Sequence, residues 1–265
     1  MVGAGRAARM PGFAVWTWVF YLFLYAPVVI LIIFSFNEGR SATVWNGFSL
    51  DWYRRAFTNP SIQRATLNSL IVACSATVVA VTLALPVALA LSRGKRFYGA
   101  GAMHLLLLAP LMVPEIVTAV ATLTFFSAIG FRFGLFNVFI AHTVFCLPFA
   151  FLPIWARLSH MDEKLESAAR DLYANAWQAF VRITLPLLAP GIIAGAMLAF
   201  VISLDDFIIT LMVADAGATT LPVYIYSMVR VGTSPEINAV STVLLAASSA
   251  VIIAHHFLTR EKAAT

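Results

Sequence analysis

Six long apolar runs separated by short polar stretches dominate the chain. They cover about residues 13–36, 65–92, 99–129, 135–155, 187–213 and 237–258. Each is near or above the roughly 20 residues that cross a hydrocarbon core as a helix. The pattern therefore predicts an all-α integral membrane fold of six transmembrane helices, within one domain over residues 1–265. Pro110 and Pro114 interrupt the third run, and Pro27, Pro86, Pro148 and Pro153 lie in the first, second and fourth. Two polar stretches are longer than turns. Residues 37–64 contain SLDWYRRAF (Ser49–Phe57), which predicts an interfacial helix with Trp52, Tyr53 and Phe57 toward lipid headgroups. Residues 215–236 contain an apolar stretch, 221–231, that predicts another short helix.

The segment 158–186 is different. In Met161–Pro186 (MDEKLESAARDLYANAWQAFVRITLP), charges of both signs alternate with Leu165, Ala168, Ala169, Leu172, Ala176 and Phe180 at helical intervals. Ser159 with Asp162, and Asn175 with Gln178, have the spacing of capping boxes. We expect two short helices, about 160–172 and 176–183, joined by a turn near 173–175 and stopped before Pro186. The apolar stripe has little of its own chain to pack against on that side. It either rests on the membrane surface or docks on another protein.

Composition agrees with a membrane protein: 61% of residues are hydrophobic and 11% charged, against about 25% charged in a soluble domain. Six spans put both termini on one side. With the termini go the basic turn Arg93–Arg96 and the segment 157–185, and that side carries eleven of the seventeen Lys and Arg. The positive-inside rule makes it the cytoplasm. Topology thus accounts for the net charge of +5 without nucleic acid. Arg6 and Arg9 precede the first run and no small-x-small cleavage site follows it, so a retained signal anchor is expected. Cys74 and Cys146 lie in apolar runs and are expected as small core residues.

Motifs for catalysis are missing. There is no G-x-x-x-x-G-K-[ST], H-E-x-x-H, C-x-x-C or G-x-S-x-G. His255 and His256 are adjacent and point to different helix faces, which makes a poor metal site. His104 and His142 are isolated, and packing or interhelical hydrogen bonding is expected of each. Three carboxylates fall inside spans: Glu115, Asp205 and Asp206. An acid at bilayer depth costs about 2.5–3.5 kcal/mol on insertion scales. These acids either pair with polar groups of neighbouring helices or line a cation path. Successive residues on a helix point about 100° apart, so at most one of Asp205 and Asp206 faces such a path directly.

Residues 166–186 resemble the EAA loop of ABC-importer permeases, E-A-A-x-x-x-G followed after a gap by I-x-L-P. The matching pieces are Ala168-Ala169, Phe180 and Ile183-Thr184-Leu185-Pro186. Ser167 stands at the usual Glu, with Glu166 just before it, and Tyr173 stands at the usual turn Gly. Tyr disfavours positive φ, so the turn is expected to pass through Asn175. Further on, Ser203–Thr210 (SLDDFIIT), Thr220-Leu221-Pro222, Ile225–Met228, Gly232 and Pro235–Thr242 look like the second permease subunit of spermidine/putrescine importers, as do Leu108–Pro110 and Pro114–Ile116.

The resemblance implies a type I ABC-importer permease in a bacterial inner membrane, with both termini cytoplasmic. It implies a homologous permease partner, two ATPase subunits and an extracytoplasmic solute-binding protein. The chain itself would bind no cofactor, ATP and Mg being held by the ATPase. Glu163, Glu166, Ser167, Ala168, Ala169, Arg170, Asp171, Leu172 and Tyr173 would form the coupling helix that docks the ATPase. Glu115, Asp205, Asp206 and Tyr226 would line the translocation path. The alternatives are the same permease class with another cargo (iron, opine or phosphonate) and a stand-alone secondary transporter.

Overall fold

The apolar runs become helices in a computed structural model that describes residues 11–41, 44–93, 98–162, 164–232 and 235–261. In chain order the helices are α1 (Pro11–Phe34), α2 (Asp51–Thr58), α3 (Pro60–Arg93), α4 (Ala100–Met112), α5 (Glu115–Ala128) and α6 (Leu135–Ser159). Then follow α7 (Lys164–Asp171), α8 (Ala176–Ala179), a π-helical turn (Phe180–Thr184), α9 (Leu185–Asp205), α10 (Ile208–Val213), α11 (Leu221–Val231) and α12 (Pro235–Glu261). The short helix expected at 221–231 is present. Among the described residues, one isolated antiparallel bridge, Asn37 to Phe48, is the only β pairing.

Three of the expected spans differ in detail. The second begins at Pro60, five residues before its apolar run. The third is not straight: α4 and α5 meet at 108°. Pro114 has no N–H to continue the ladder and pushes the preceding residue off helical geometry, and Val113 is extended at φ −91°, ψ 134°. Pro110 stays inside α4. The fifth span starts earlier than expected, because α8, the π turn and α9 are consecutive. The helix does not stop before Pro186. Proline has no N–H to bond back along the helix, and just before it the Leu185 N–H reaches the Phe180 carbonyl in a π-type bond. The same span breaks near its far end. Asp206 leaves helical geometry at φ −61°, ψ 128°, and α10 restarts at Ile208.

The chain divides into two compact units. The first comprises the residues up to Asn59 together with Met228–Leu245. In it the buried Asn37 side chain organises the loop after α1. Its amide donates to the carbonyls of Ser41 and Val44, and its oxygen accepts from the Asn46 N–H. Helix α2 corrects the interfacial expectation in part. Trp52 is buried beneath the Arg55 guanidinium, and Tyr53 shares a 2.6 Å hydrogen bond with Ser35. Only Phe57 of the three aromatics is exposed.

The second unit comprises Pro60–Ser227 and the residues from Ala246. Its centre is α3, α6 and α9, packed on one another. Small residues set the distances. Ala73, Ala76, Ala80, Ala84 and Ala88 of α3 are fully buried. On α9, Gly191, Gly195, Ala199 and Ser203 recur every fourth residue and face α6. A Cβ at Gly195 would stand 2.5 Å from the Ala150 carbonyl oxygen, and one at Gly191 would stand 3.1 Å from that of Pro153. The next rungs are polar: the Cys146 thiol lies 3.4 Å from the Ala199 carbonyl, and His142 lies 2.8 Å from Ser203. Backbones this close need small side chains, as in other membrane helix pairs. Cys146 is buried as expected, whereas Cys74 is exposed on α3.

Candidate functional site

The small-residue ladder ends where the α9–α10 helix is broken, and polar groups collect there. Asp206, in the break, accepts through Oδ1 from the Thr210 N–H (3.0 Å) and the Thr210 hydroxyl (3.2 Å). A carboxylate bonded to the backbone donor four residues on satisfies a group freed at a helix start. His142 of α6 contacts both sides of the break, with Nδ1 2.8 Å from Ser203 Oγ and Nε2 2.8 Å from Thr210 Oγ1 and 3.2 Å from Asp206 Oδ1. All four side chains are buried. The interhelical bonding expected of His142 is present, and His104 packs its ring on Phe151 and Trp155.

The three intramembrane acids are placed differently. Asp206 is 1% exposed at its side chain, and its Oδ2 has no hydrogen-bond partner. Glu115, the first residue of α5, lies beside Asp206. Asp205, the last residue of α9, is exposed and accepts from the Ser248 hydroxyl at 3.2 Å. All three line a pocket of about 460 Å³ with Phe145, Phe149 and Phe207. Tyr226 of α11 packs its ring on Phe207, with centroids 4.7 Å apart. The pocket therefore joins carboxylates to aromatic faces. Both attract a cation in a medium of low dielectric.

The second candidate region is α7–α8. Glu163 lies outside the described residues, as do Lys95 and Arg96 of the basic turn and the side chains of His255 and His256. Of the two capping boxes expected, Asn175–Gln178 forms with both reciprocal bonds. Ser159 instead donates to the Trp155 carbonyl, and Asp162 accepts from the Lys164 N–H at the start of α7. The turn does not pass through positive φ at Asn175. Tyr173 takes that conformation, at φ 63°. The Ala174 N–H bonds the Ala169 carbonyl and the Tyr173 N–H bonds the Arg170 carbonyl, so the turn is a Schellman close with tyrosine in the glycine position.

Glu166 ties this segment to the rest of the unit. Its Oε1 accepts from the Thr184 hydroxyl at 2.9 Å and lies 3.6 Å from Arg93 Nε. Ala169 is buried. Leu165, Ser167, Ala168, Arg170, Asp171, Leu172, Tyr173 and Trp177 are exposed. The apolar part of this surface is Leu165, Leu172, Tyr173 and Trp177.

Sequence reasoning missed the break at Asp206 and the link from His142 to Ser203 and Thr210. An Asp four residues before Thr, at the end of a glycine- and alanine-spaced helix, was the available signal for the break.

Residues 76–261 match the family described as binding-protein-dependent transport system inner membrane component. The spermidine/putrescine transport system permease protein PotC of Haemophilus influenzae is 36% identical over 243 residues, 92% of this chain and 94% of that protein. The putrescine transport system permease protein PotI of Escherichia coli is 38% identical over 233 residues, 86% of this chain and 83% of that protein. A chain of the bacterial ABC transporter that imports the acidic polysaccharide alginate superposes with a TM-score of 0.72 at 16% identity, over 95% of each chain, a likeness of fold.

Proposed function

This chain belongs to the family of binding-protein-dependent transport system inner membrane components and is a permease subunit of an ABC importer; from that premise we propose that its cargo is a polyamine, spermidine or putrescine. The observation that carries this reading is the pocket in which Glu115, Asp205 and Asp206 meet Phe145, Phe149 and Phe207. Carboxylates at membrane depth repel anions and stabilise ammonium groups. Aromatic faces add cation–π attraction. The identities to spermidine/putrescine and putrescine permeases support the same cargo.

The chain forms half of the translocation path beside a homologous permease. It binds no cofactor, and ATP with Mg is held by two separate ATPase subunits. The segment Glu163–Tyr173 is the coupling helix. Its exposed residues Leu165, Leu172 and Tyr173 meet the ATPase, while Glu166 ties it to Arg93 and Thr184. Both termini and this segment are cytoplasmic, as the Lys and Arg distribution indicates. An extracytoplasmic solute-binding protein delivers cargo to the opposite side. ATP-driven closure of the ATPases brings the coupling helices together and exchanges inward and outward access.

The test is uptake by proteoliposomes containing the full complex. Asp206→Asn and Glu115→Gln should each lower the initial rate of putrescine uptake at least tenfold. Unchanged uptake in both would remove the cation-path role.

A further inference from the structure

His142 is buried in an apolar helix, yet each ring nitrogen has a specific partner on opposite sides of the α9–α10 break. The hydrogen-bond directions follow from the donor inventory. The single Thr210 hydroxyl hydrogen is donated to Asp206 Oδ1. Thr210 Oγ1 must then accept from His142, so Nε2 carries a hydrogen. Asp206 Oδ1, 3.2 Å away, lies within reach of the same N–H. In the neutral ring, Nδ1 accepts from the Ser203 hydroxyl.

Two consequences follow. Ser203 belongs to the last turn of α9, and Thr210 belongs to α10. The ring therefore fixes the two half-helices relative to each other where no backbone ladder runs through. In addition, the Thr210 backbone, the Thr210 hydroxyl and the imidazole all converge on Oδ1 of Asp206, while the Glu115 carboxyl is the other group beside this side chain. Oδ2 is buried without a hydrogen-bond partner in a side chain that is 1% exposed. Such an oxygen is costly to leave unpaired, and an ammonium group supplies the donor it lacks.

We propose that His142 is the positioning residue of the cation site: it pins the break between α9 and α10 and holds Asp206 through Oδ1, reserving Oδ2 for an ammonium group of the cargo. Ser203 is the second half of the same device, because it orients the ring from the far side. The proposal rests on the reading above that Asp206 meets cargo.

The experiment uses the complete transporter in proteoliposomes, saturating binding protein loaded with radiolabelled putrescine, and initial uptake rates. Co-purification of the partner subunits checks assembly. His142→Ala should lower uptake about tenfold to a hundredfold, the range for losing a hydrogen bond to a charged group. His142→Gln keeps a donor at the Nε2 end and should recover most of that loss. Ser203→Ala should cost several-fold, and it carries the test if the His142→Ala complex does not assemble. In an Asp206→Asn background, His142→Ala and Ser203→Ala should add no further loss.

Equal factors of loss with and without the Asp206 carboxylate would show a packing role and overturn the proposal. So would a His142→Gln complex no better than His142→Ala. If Asp206→Asn is impaired while His142→Ala and Ser203→Ala both match the unmodified chain, positioning fails and the cargo reading stands. If Asp206→Asn transports normally, Asp206 does not meet cargo and the positioning role falls with it, whatever Glu115→Gln shows of the cation path.

Discussion

Gly195→Ala adds one methyl group at the tightest point of the α6–α9 contact. The new Cβ would stand 2.5 Å from the Ala150 carbonyl oxygen and 3.3 Å from the Ala150 carbonyl carbon and Cα. These are backbone atoms, so no rotamer change relieves the clash. Reaching ordinary van der Waals contact requires the helices to part by about 0.9 Å. Overpacking of this kind costs about 1–3 kcal/mol, on the order of 2–12 °C in thermal midpoint for a chain of this size. Two turns further along the same face, Ser203 and His142 are 2.8 Å apart. The same separation would stretch that bond to about 3.7 Å, past the limit of a useful hydrogen bond. Thermal unfolding of the detergent-purified complex and putrescine uptake in proteoliposomes should therefore fall together. Gly101→Ala in α4 is the control, because nothing lies within 4 Å of its added Cβ. It should leave uptake intact and be neutral or stabilising by about 0.4–1 kcal/mol. A Gly195→Ala complex with unchanged midpoint and uptake would refute the close-packed ladder and its part in building the site.

Other outcomes follow from the same geometry. Glu166→Ala removes the acceptor of Thr184 and the partner of Arg93 and should lower uptake per ATP hydrolysed more than Ser167→Ala does; the reverse order would contradict the anchoring role of Glu166. Tyr173→Gly relieves a non-glycine residue held at φ 63°, a strain of about 1 kcal/mol, and should raise the thermal midpoint by a few degrees; a lower midpoint would show that the tyrosine ring stabilises the turn. Asp205→Asn, at an exposed carboxylate bonded to Ser248, should reduce uptake less than Asp206→Asn, measured as initial rates side by side.

The long-range organisation of the molecule was legible in its residues because membrane crossing and helix capping are local physics. Apolar runs of sufficient length became helices, and of the two prolines read as interrupting the third run, Pro114 lies at the bend between α4 and α5 and Pro110 inside α4. Asn175 and Gln178 announced their capping box through spacing alone. What was not legible depended on partners far along the chain. His142 meets Ser203 and Thr210 across 61 and 68 residues, and no spacing rule connects them. The break at Asp206 contains neither proline nor glycine. A side-chain acceptor replaces the ladder there, which an apolar flank conceals. At Tyr173, steric preference pointed away from positive φ, but the Schellman bonds from Ala174 and Tyr173 hold it there. The inward turn of Trp52 went unseen because an aromatic beside two arginines has the same local pattern at a lipid interface as in a small core.

The most direct measurement of the central claim is uptake by the reconstituted complex of this permease, its homologous partner and the ATPases. Vesicles would be presented with binding protein loaded with either putrescine or molybdate. The account predicts putrescine accumulation that requires ATP inside the ATPase compartment and is lost when Asp206 and Glu115 are both neutralised, with no molybdate uptake. Putrescine movement without ATP, or anion uptake that ignores both carboxylates, would contradict it.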